Sequence, residues 1–325
     1  MRGEFEIIAR HFAPLAEDAA ALGLKDDAAL LTPPPGRSLV LTLDTMIAGV
    51  HYLPSDPPDS VGRKLLRVNL SDLAAMGAEP LGYLLSTAWP KDWQEDWIAG
   101  FCAGLAEDQR RYGLSLLGGD TTSGPGPTTL SLTALGSVAP GRALTRSGAR
   151  AGDLVMVSGS IGDGALGLLA LTGQLPEVSA ESCAFLAGRY RLPQPRLDLG
   201  AALSAEGLAS ACLDVSDGLV ADLGHIAEAS GLAATLEAAR VPLSRAAQEA
   251  VAQDLERFPL ALTGGDDYEL CFTLPPEKAA AAAAAATRCG LAVTEIGRMD
   301  AGSGVRVLDR DGEPLALTRS GWTHF

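Results

Sequence analysis

A chain of 325 residues has room for two domains, and with 47% hydrophobic and 20% charged residues it is neither a disulfide-stapled miniprotein nor a disordered chain. Forty Asp and Glu against 25 Lys and Arg give a formal charge of −15. That field repels nucleic-acid backbones and anionic lipid, so no nucleic acid and no membrane is expected as a partner, while a small anionic substrate remains open if divalent cations stand between carboxylates and phosphates. The five cysteines, Cys102, Cys183, Cys212, Cys271 and Cys289, are odd in number and contain no C-x-x-C pair, which points to reduced thiols and no structural zinc. The opening GEFEIIARHFAP at 3–14 lacks a basic region followed by an apolar core, and no stretch approaches the roughly 20 apolar residues of a spanning helix, so a cytoplasmic location is expected.

Phe5, Ile8, Ala9 and Phe12 recur at helical spacing and predict an amphipathic helix over 3–13. The turn-forming PPPG at 33–36 introduces a strand at 38–44. A helix over 59–76, a strand over 83–88 and a helix over 93–112 follow, the last with Trp93, Trp97, Phe101 and Leu105 among its apolar positions. TTLSLTALGSVAP at 128–140 alternates as a strand. The Gly- and Arg-rich segment 141–153 precedes a new strand at 154–159, which places the domain boundary there and gives domains 1–143 and 144–325. Helices are predicted at 165–171 and 217–230, and the alanine run 279–286 reads as a helix started by Pro275-Pro276 and packed on the second domain. The fold class is α/β.

Six acidic motifs join a carboxylate to Gly, Ser or Thr at predicted strand ends or helix starts: LKDDAALL (24–31), TLDT (42–45), NLSDLAAMGAEP (69–80), LGGDTTSGPG (117–126), DVSDGL (214–219) and TGGDDYEL (263–270). A single loop aspartate is more often a cap or turn former than a ligand. Mg²⁺, however, takes hard oxygens from a few carboxylates and lets phosphates and water complete its shell, and Asp27, Asp44, Asp72, Asp120, Asp214 and Asp217 are of that type. In LGGDTT, Gly118-Gly119 would let backbone approach a ligand that Asp120 faces from the same turn; a plain strand-end turn fits as well. In DVSDGL, Asp214 and Asp217 share a face if they open a helix, with Ser216 as a cap or a phosphate contact. No P-loop, protein-kinase set, dinucleotide fingerprint or G-x-S-x-G occurs, and the four histidines, His11, His51, His225 and His324, give no triad signal, so a nucleotide needs another scaffold.

Taken in order, these motifs closely resemble the thiamine-monophosphate kinase family, in the superfamily that also holds aminoimidazole ribonucleotide synthetase, selenophosphate synthetase and a hydrogenase-maturation protein. The resemblance runs from GEFEIIARHF through NLSDLAAMGA, GGDTT, GRALTRSGA, DVSDGLVADLGHI and GGDDYELCF to SGWTHF. It implies a two-domain α/β fold of the aminoimidazole ribonucleotide synthetase type, whose N-terminal sheet forms a barrel across a homodimer. The implied reaction is ATP plus thiamine phosphate giving thiamine diphosphate plus ADP, by direct in-line transfer with Mg²⁺. Carried over by motif, the Mg²⁺ ligands are Asp27, Thr42, Asp44, Asp72, Asp120, Asp214 and Asp217, with Asp26 beside them. ATP contacts fall on Gly119, Asp120, Arg146 and Ser216, with Arg146 as a charge stabiliser, and substrate contacts on His51, Asp266 and Trp322. The chain departs from the family at Lys25, where a glycine usually precedes the paired aspartates, and at Asp266, where GGED is common. Two rival expectations stand beside this one: another ATP-dependent enzyme of the superfamily, of the purine-synthesis or selenophosphate type, and a non-catalytic nucleotide- or metal-binding regulator.

Overall fold

The computed structural model describes residues 4–319, 321 and 322. Two compact units emerge: Met1–Leu73 with Ala78–Pro140, and Ala74–Gly77 with Gly141–Phe325.

In the N-terminal unit, α1 (Glu4–Ile7) widens into a π turn over Ile8–Phe12 and a 3₁₀ turn over Ala13–Leu15. The helix expected over 3–13 is therefore present but irregular from Ile8 on, and Pro14 fits at the start of the 3₁₀ turn, where its missing N–H is not needed; residue 3 lies outside the described residues. The strands are β1 (Ser38–Ile47), β2 (Glu79–Pro90), β3 (Leu116–Gly124) and β4 (Thr129–Val138), separated by helices α2 (Pro58–Ala75) and α3 (Glu95–Tyr112). The sheet order is β1-β4-β2-β3, antiparallel except for the parallel β2–β3 pair. Strand periodicity sends Val40, Leu130, Leu132, Ala134, Tyr83 and Leu85 into the core. The helices lie on that face: Tyr83 Oη donates to Gln109 Oε1 of α3 at 2.6 Å, and Trp89 meets Trp97 and Phe101 edge-on. Arg67 of α2 and Asp108 of α3, both fully buried, close a two-bond ion pair between the helices at 2.5 and 3.0 Å. The opposite face leaves Leu39, Leu41, Leu43 and Leu84 between 40% and 62% exposed.

The C-terminal unit runs β5 (Leu154–Ser158), α4 (Asp163–Leu171), α5 (Ala180–Arg191), α6 (Leu197–Ala205), β6 (Ala211–Asp214), α7 (Leu219–Ser230), β7 (Ala233–Glu237), α8 (Arg245–Gln253), α9 (Arg257–Thr263), β8 (Leu270–Leu274), α10 (Ala279–Arg288), β9 (Val293–Asp300) and β10 (Gly304–Leu308). Its sheet order is β10-β7-β9-β5-β8-β6, and the β10–β7 pair is parallel. Alternation divides each strand between two cores. Val155, Val157, Leu213 and Cys271 pack with α7 residues such as Leu223 and Ile226, while Met156, Cys212, Phe272 and Leu274 pack with α6 and α10. The alanine run does form a helix on this unit: Ala282, Ala285 and Ala286, at three- and four-residue spacing, are fully buried. Among the described residues no helix is long and apolar enough to cross a membrane.

Three acidic motifs sit differently from their expected places. TLDT lies inside β1, and NLSD lies inside α2 rather than at its start. LGGDTT is strand rather than turn: a Cβ at Gly119 would come within 1.9 Å of the Leu85 carbonyl oxygen, so the glycine permits the close β2–β3 pairing.

Candidate active site

The predicted residues fall into three groups. The first joins β1 to α2. Thr42 and Asp44, two apart on β1, share a strand face; the Thr42 hydroxyl donates to Asp72 Oδ2, and the Asp44 N–H donates to Asn69 Oδ1 at 3.1 Å. Asn69 and Asp72, three apart, share the facing side of α2, and buried Asn69 is held by donating to the Leu65 carbonyl at 2.9 Å. Asp72 stands in the last turn of α2, which carries no basic residue. The negative end of the helix dipole and a carboxylate therefore coincide, an arrangement that attracts a cation. His51 closes the turn after β1: its Nδ1 accepts from the Ile47 N–H at 3.0 Å, so a neutral ring carries its proton on Nε2 and can donate there.

The second group surrounds a cavity of about 540 Å³ in the N-terminal unit. Ile8, Phe12, Leu24 and Leu117 give it apolar walls, and Asp26, Asp27, Gly119 and Asp120 also line it. Lys25 adopts φ −110°, which any L-residue takes, so the family glycine is not required there; the left-handed backbone falls on Leu22 and Leu24, at φ 50° and 54°. Asp44 and Gly119 occupy one cross-sheet row, through Leu132 and Leu85, but on opposite edges. At about 4.8 Å per strand step these edges lie about 14 Å apart, which keeps the first two groups separate.

The third group is in the C-terminal unit, centred on the loop between β6 and α7. Asp214 ends β6, and α7 starts only at Leu219, so Asp214 and Asp217 do not share a helix face as the sequence suggested. Main-chain bonds instead knit this loop to two other segments. The Val215, Ser216 and Asp217 carbonyls accept from the N–H groups of Tyr268 (2.8 Å), Asp266 (2.9 Å) and Trp322 (2.9 Å). Asp214, Ser216, Asp217, Asp266 and Trp322, distant in sequence, are thus anchored around one loop. Trp322 is 51% exposed. The rest of the SGWTHF motif beyond Trp322, and Ser320, lie outside the described residues. Arg146 is exposed and makes no ion pair among the described residues; its neighbour Thr145 accepts from the Cys212 N–H at 2.9 Å, two residues up-strand of Asp214.

Asp266 and Tyr268 hold φ 72° and 54°, left-handed values that cost about 1–3 kcal/mol each for residues with a Cβ. Aspartate tolerates this region better than most residues, so the shorter acid suits the backbone at 266. The residues between and beyond them are anchored inward. Asp267, almost fully buried, accepts from Gly162 N (2.7 Å) and Gly164 N (3.0 Å) at the start of α4, and burial pushes its carboxyl well up. Glu269, fully buried, takes Ser158 Oγ at 2.6 Å, Arg189 Nη2 at 2.8 Å and Arg196 Nε at 2.7 Å. Asp222 in the first turn of α7 accepts from the N–H groups of Ser216, Asp217 and Gly218 at 3.0, 3.0 and 3.1 Å, and burial pushes its carboxyl up to about 7. Sequence reasoning passed over Asn69, Asp222, Asp267 and Glu269; the spacing in DGL-x-x-D and the alternation in DDYE were the available signals.

Among the described residues no three His, Cys, Asp or Glu side chains stand close enough to hold a metal by themselves. The donor chemistry still suits Mg²⁺, since carboxylate and hydroxyl oxygens in small sets match an ion usually held by one or two carboxylates plus substrate phosphates and water.

Comparison with known proteins matches these features to a family. A family described as AIR synthase related protein, N-terminal domain, matches residues 25–138, and its C-terminal counterpart matches residues 150–310. A thiamine-monophosphate kinase of Caulobacter vibrioides is 45% identical over 99% of this chain and 90% of its own length. The chain belongs to the thiamine-monophosphate kinase family. Solved members share its fold: the crystal structure of thiamine-monophosphate kinase from Stenotrophomonas maltophilia K279a superposes with a TM-score of 0.84 at 43% identity, covering 96% of this chain and 98% of that one. A second, AaThiL complexed with AMPPCP and TMP, gives a TM-score of 0.79 at 32% identity over 100% and 99% of the two chains. The likeness to this kinase family therefore spans both units.

Proposed function

We propose that this chain transfers the γ-phosphoryl group of ATP to thiamine phosphate, yielding thiamine diphosphate and ADP, with Mg²⁺. The knitting of the Asp214–Asp217 loop to Asp266 and Trp322 carries this reading, because it fixes acids of the metal-binding type beside the residues assigned to the organic cation. The acceptor is a phosphate monoester whose second pKa is about 6, so near neutrality it is largely dianionic and already nucleophilic. No general base is needed, and none of the chain's residues is assigned that role. The P–O bond to the leaving ADP breaks as the bond to the acceptor oxygen forms, without a phospho-enzyme.

Asp27, Thr42, Asp44, Asp72 and Asp120 of the N-terminal unit, with Asp26 beside them, and Asp214 and Asp217 of the C-terminal unit are the residues that would hold Mg²⁺. Bound there, the ions would screen the charge of two polyanions and orient them in line. The apolar cavity beside Gly119 and Asp120 suits the nucleoside end of ATP. Ser216 and Arg146 contact the phosphates, and His51 donates from Nε2 to the acceptor phosphate. Asp266 and the Trp322 ring face the thiazolium cation. Trp322→Ala should raise KM for thiamine phosphate about 2–30-fold with little change in kcat, the range that a cation–π contact of about 0.5–2 kcal/mol supports. Steady-state kinetics at saturating ATP measure this.

The open leucine face of the N-terminal sheet supports a homodimer closed through that face, since contiguous apolar surface of this kind marks an interface. Leu41→Asp is expected to convert a wild-type dimer to monomer in sedimentation velocity; a monomeric wild type would remove the dimer from the proposal. A cytoplasmic site of action agrees with five free cysteines, three of them buried. The deciding experiment for the whole reading is Mg²⁺-dependent ADP release on adding thiamine phosphate. Turnover with formylglycinamidine ribonucleotide and none with thiamine phosphate would move the chain to a different enzyme of the superfamily. Tight ATP binding without any turnover would make it a regulator.

A further inference from the structure

We infer that Asp222 is a positioning residue that fixes the 214–218 loop and, through it, the 264–268 loop and Trp322 as one assembly. The inference rests on the function proposed above for those residues. Asp222 is the fourth residue of α7, whose N-cap is Gly218, a residue with no side chain to cap the helix. An acid in the first helical turn ordinarily reaches back to one N–H of the cap. Here a single oxygen, Oδ2, takes three consecutive N–H groups, those of Ser216, Asp217 and Gly218. The Gly218 bond serves the helix, whereas the other two hold loop residues that precede it.

Three successive N–H groups pointing to one spot make an anion-binding concavity. Asp222 fills that concavity from within, so none of the three donors is left to meet a phosphate. The loop also carries the Asp214 and Asp217 carboxylates, oxygens that suit a cation, and the Ser216 hydroxyl. The other side of the same peptide units is also committed: the Val215, Ser216 and Asp217 carbonyls receive the N–H groups of Tyr268, Asp266 and Trp322. At Gly265 a Cβ would lie 2.2 Å from the Ser216 carbonyl oxygen, so the two loops touch with no room for a side chain between them. The hydrogen bonds of Asp222 go to Ser216, Asp217 and Gly218 rather than to the residues assigned to thiamine phosphate, yet they set the peptide planes on which Asp266 and Trp322 hang.

The test uses the full chain as wild type, Asp222→Ala and Asp222→Asn, with two readouts. In metal-free protein, hydrogen–deuterium exchange should rise in Asp222→Ala not only over 215–218 but also over 264–268 and around Trp322. In kinetics, the Mg²⁺ concentration for half-maximal rate should rise about 10–100-fold, the range seen when a group supporting metal ligands is lost. Asp222→Asn, which keeps one acceptor oxygen without the charge, should fall between wild type and Asp222→Ala on both. Exchange that rises only over 215–222, or an unchanged Mg²⁺ response, overturns the inference. If Asp222→Ala does not fold, Asp222→Asn decides alone, and wild-type behaviour on either readout overturns the inference. A wild type that fails to turn over thiamine phosphate sinks the proposed function instead, and the exchange experiment, which needs no substrate, still decides the role of Asp222.

Discussion

Asp120→Asn and Asp217→Asn should each lower kcat/KM for thiamine phosphate about 10²–10³-fold, since a lost metal-holding charge is worth several kcal/mol and each 1.4 kcal/mol is about tenfold. Both side chains differ from the buried acids in one respect: neither accepts a hydrogen bond from a described residue. Asp120 is exposed on an edge strand and Asp217 is half-buried in its loop. Removing such a charge asks nothing of the fold, and surface changes of this kind usually stay within about 0.5 kcal/mol. The expected result is thus a large kinetic loss with an unchanged melting temperature. Near-wild-type rates in both variants would defeat the assignment of these acids to Mg²⁺; equal losses of rate and stability would recast them as structural.

Glu269→Gln should give the opposite pattern, a loss of stability first. Glu269 is fully buried and anchors Arg189 and Arg196, both close to the interior, together with the Ser158 hydroxyl. Glutamine fits the space but leaves Arg196 without its countercharge and Arg189 with only the more distant Asp163. Breaking a buried pair from one side costs about 3–5 kcal/mol because the remaining charge is stranded in a poor solvent. At about 2–4 °C per kcal/mol for a unit of this size, the melting temperature should fall by roughly 10 °C. Thermal denaturation followed by circular dichroism measures it. A shift below about 2 °C would mean that Asp163, which lies 3.7 Å from Arg189 Nε, takes over as partner.

Periodicity made much of the fold legible. The helices at 59–76 and 93–112, the strands at 128–140 and 154–159 and the alanine helix lie within a few residues of α2, α3, β4, β5 and α10. These elements bury one face or alternate between two, so their pattern is written in the residues themselves. LGGDTT was misread because glycines are turn formers in isolation. Only the neighbouring strand, with the Leu85 carbonyl pressed against Gly119, turns them into a requirement for pairing. The opening helix is present, but it leaves α geometry at Ile8, a change of pitch that spacing alone does not show.

In the site, the acids at strand ends and loops were legible as types, and their distribution into three groups was not. Sheet order sends β1 and β3 to opposite edges, and no feature of TLDT or GGDTT encodes that order. The supporting acids were the least visible. Asp222 and Asp267 satisfy main-chain N–H groups, and such partners leave no complementary side chain to notice in a sequence. Asp266, by contrast, was flagged as a shortened acid, and its left-handed backbone gives that departure a reason.

The joints between the 215–217 carbonyls and residues 266, 268 and 322 are made by peptide groups, which every amino acid but proline supplies. Side chains that tolerate the left-handed backbone at 266 and 268 can be exchanged there while the frame that displays them keeps its shape. Such a frame lets a lineage change what it recognises without first having to rebuild where recognition takes place.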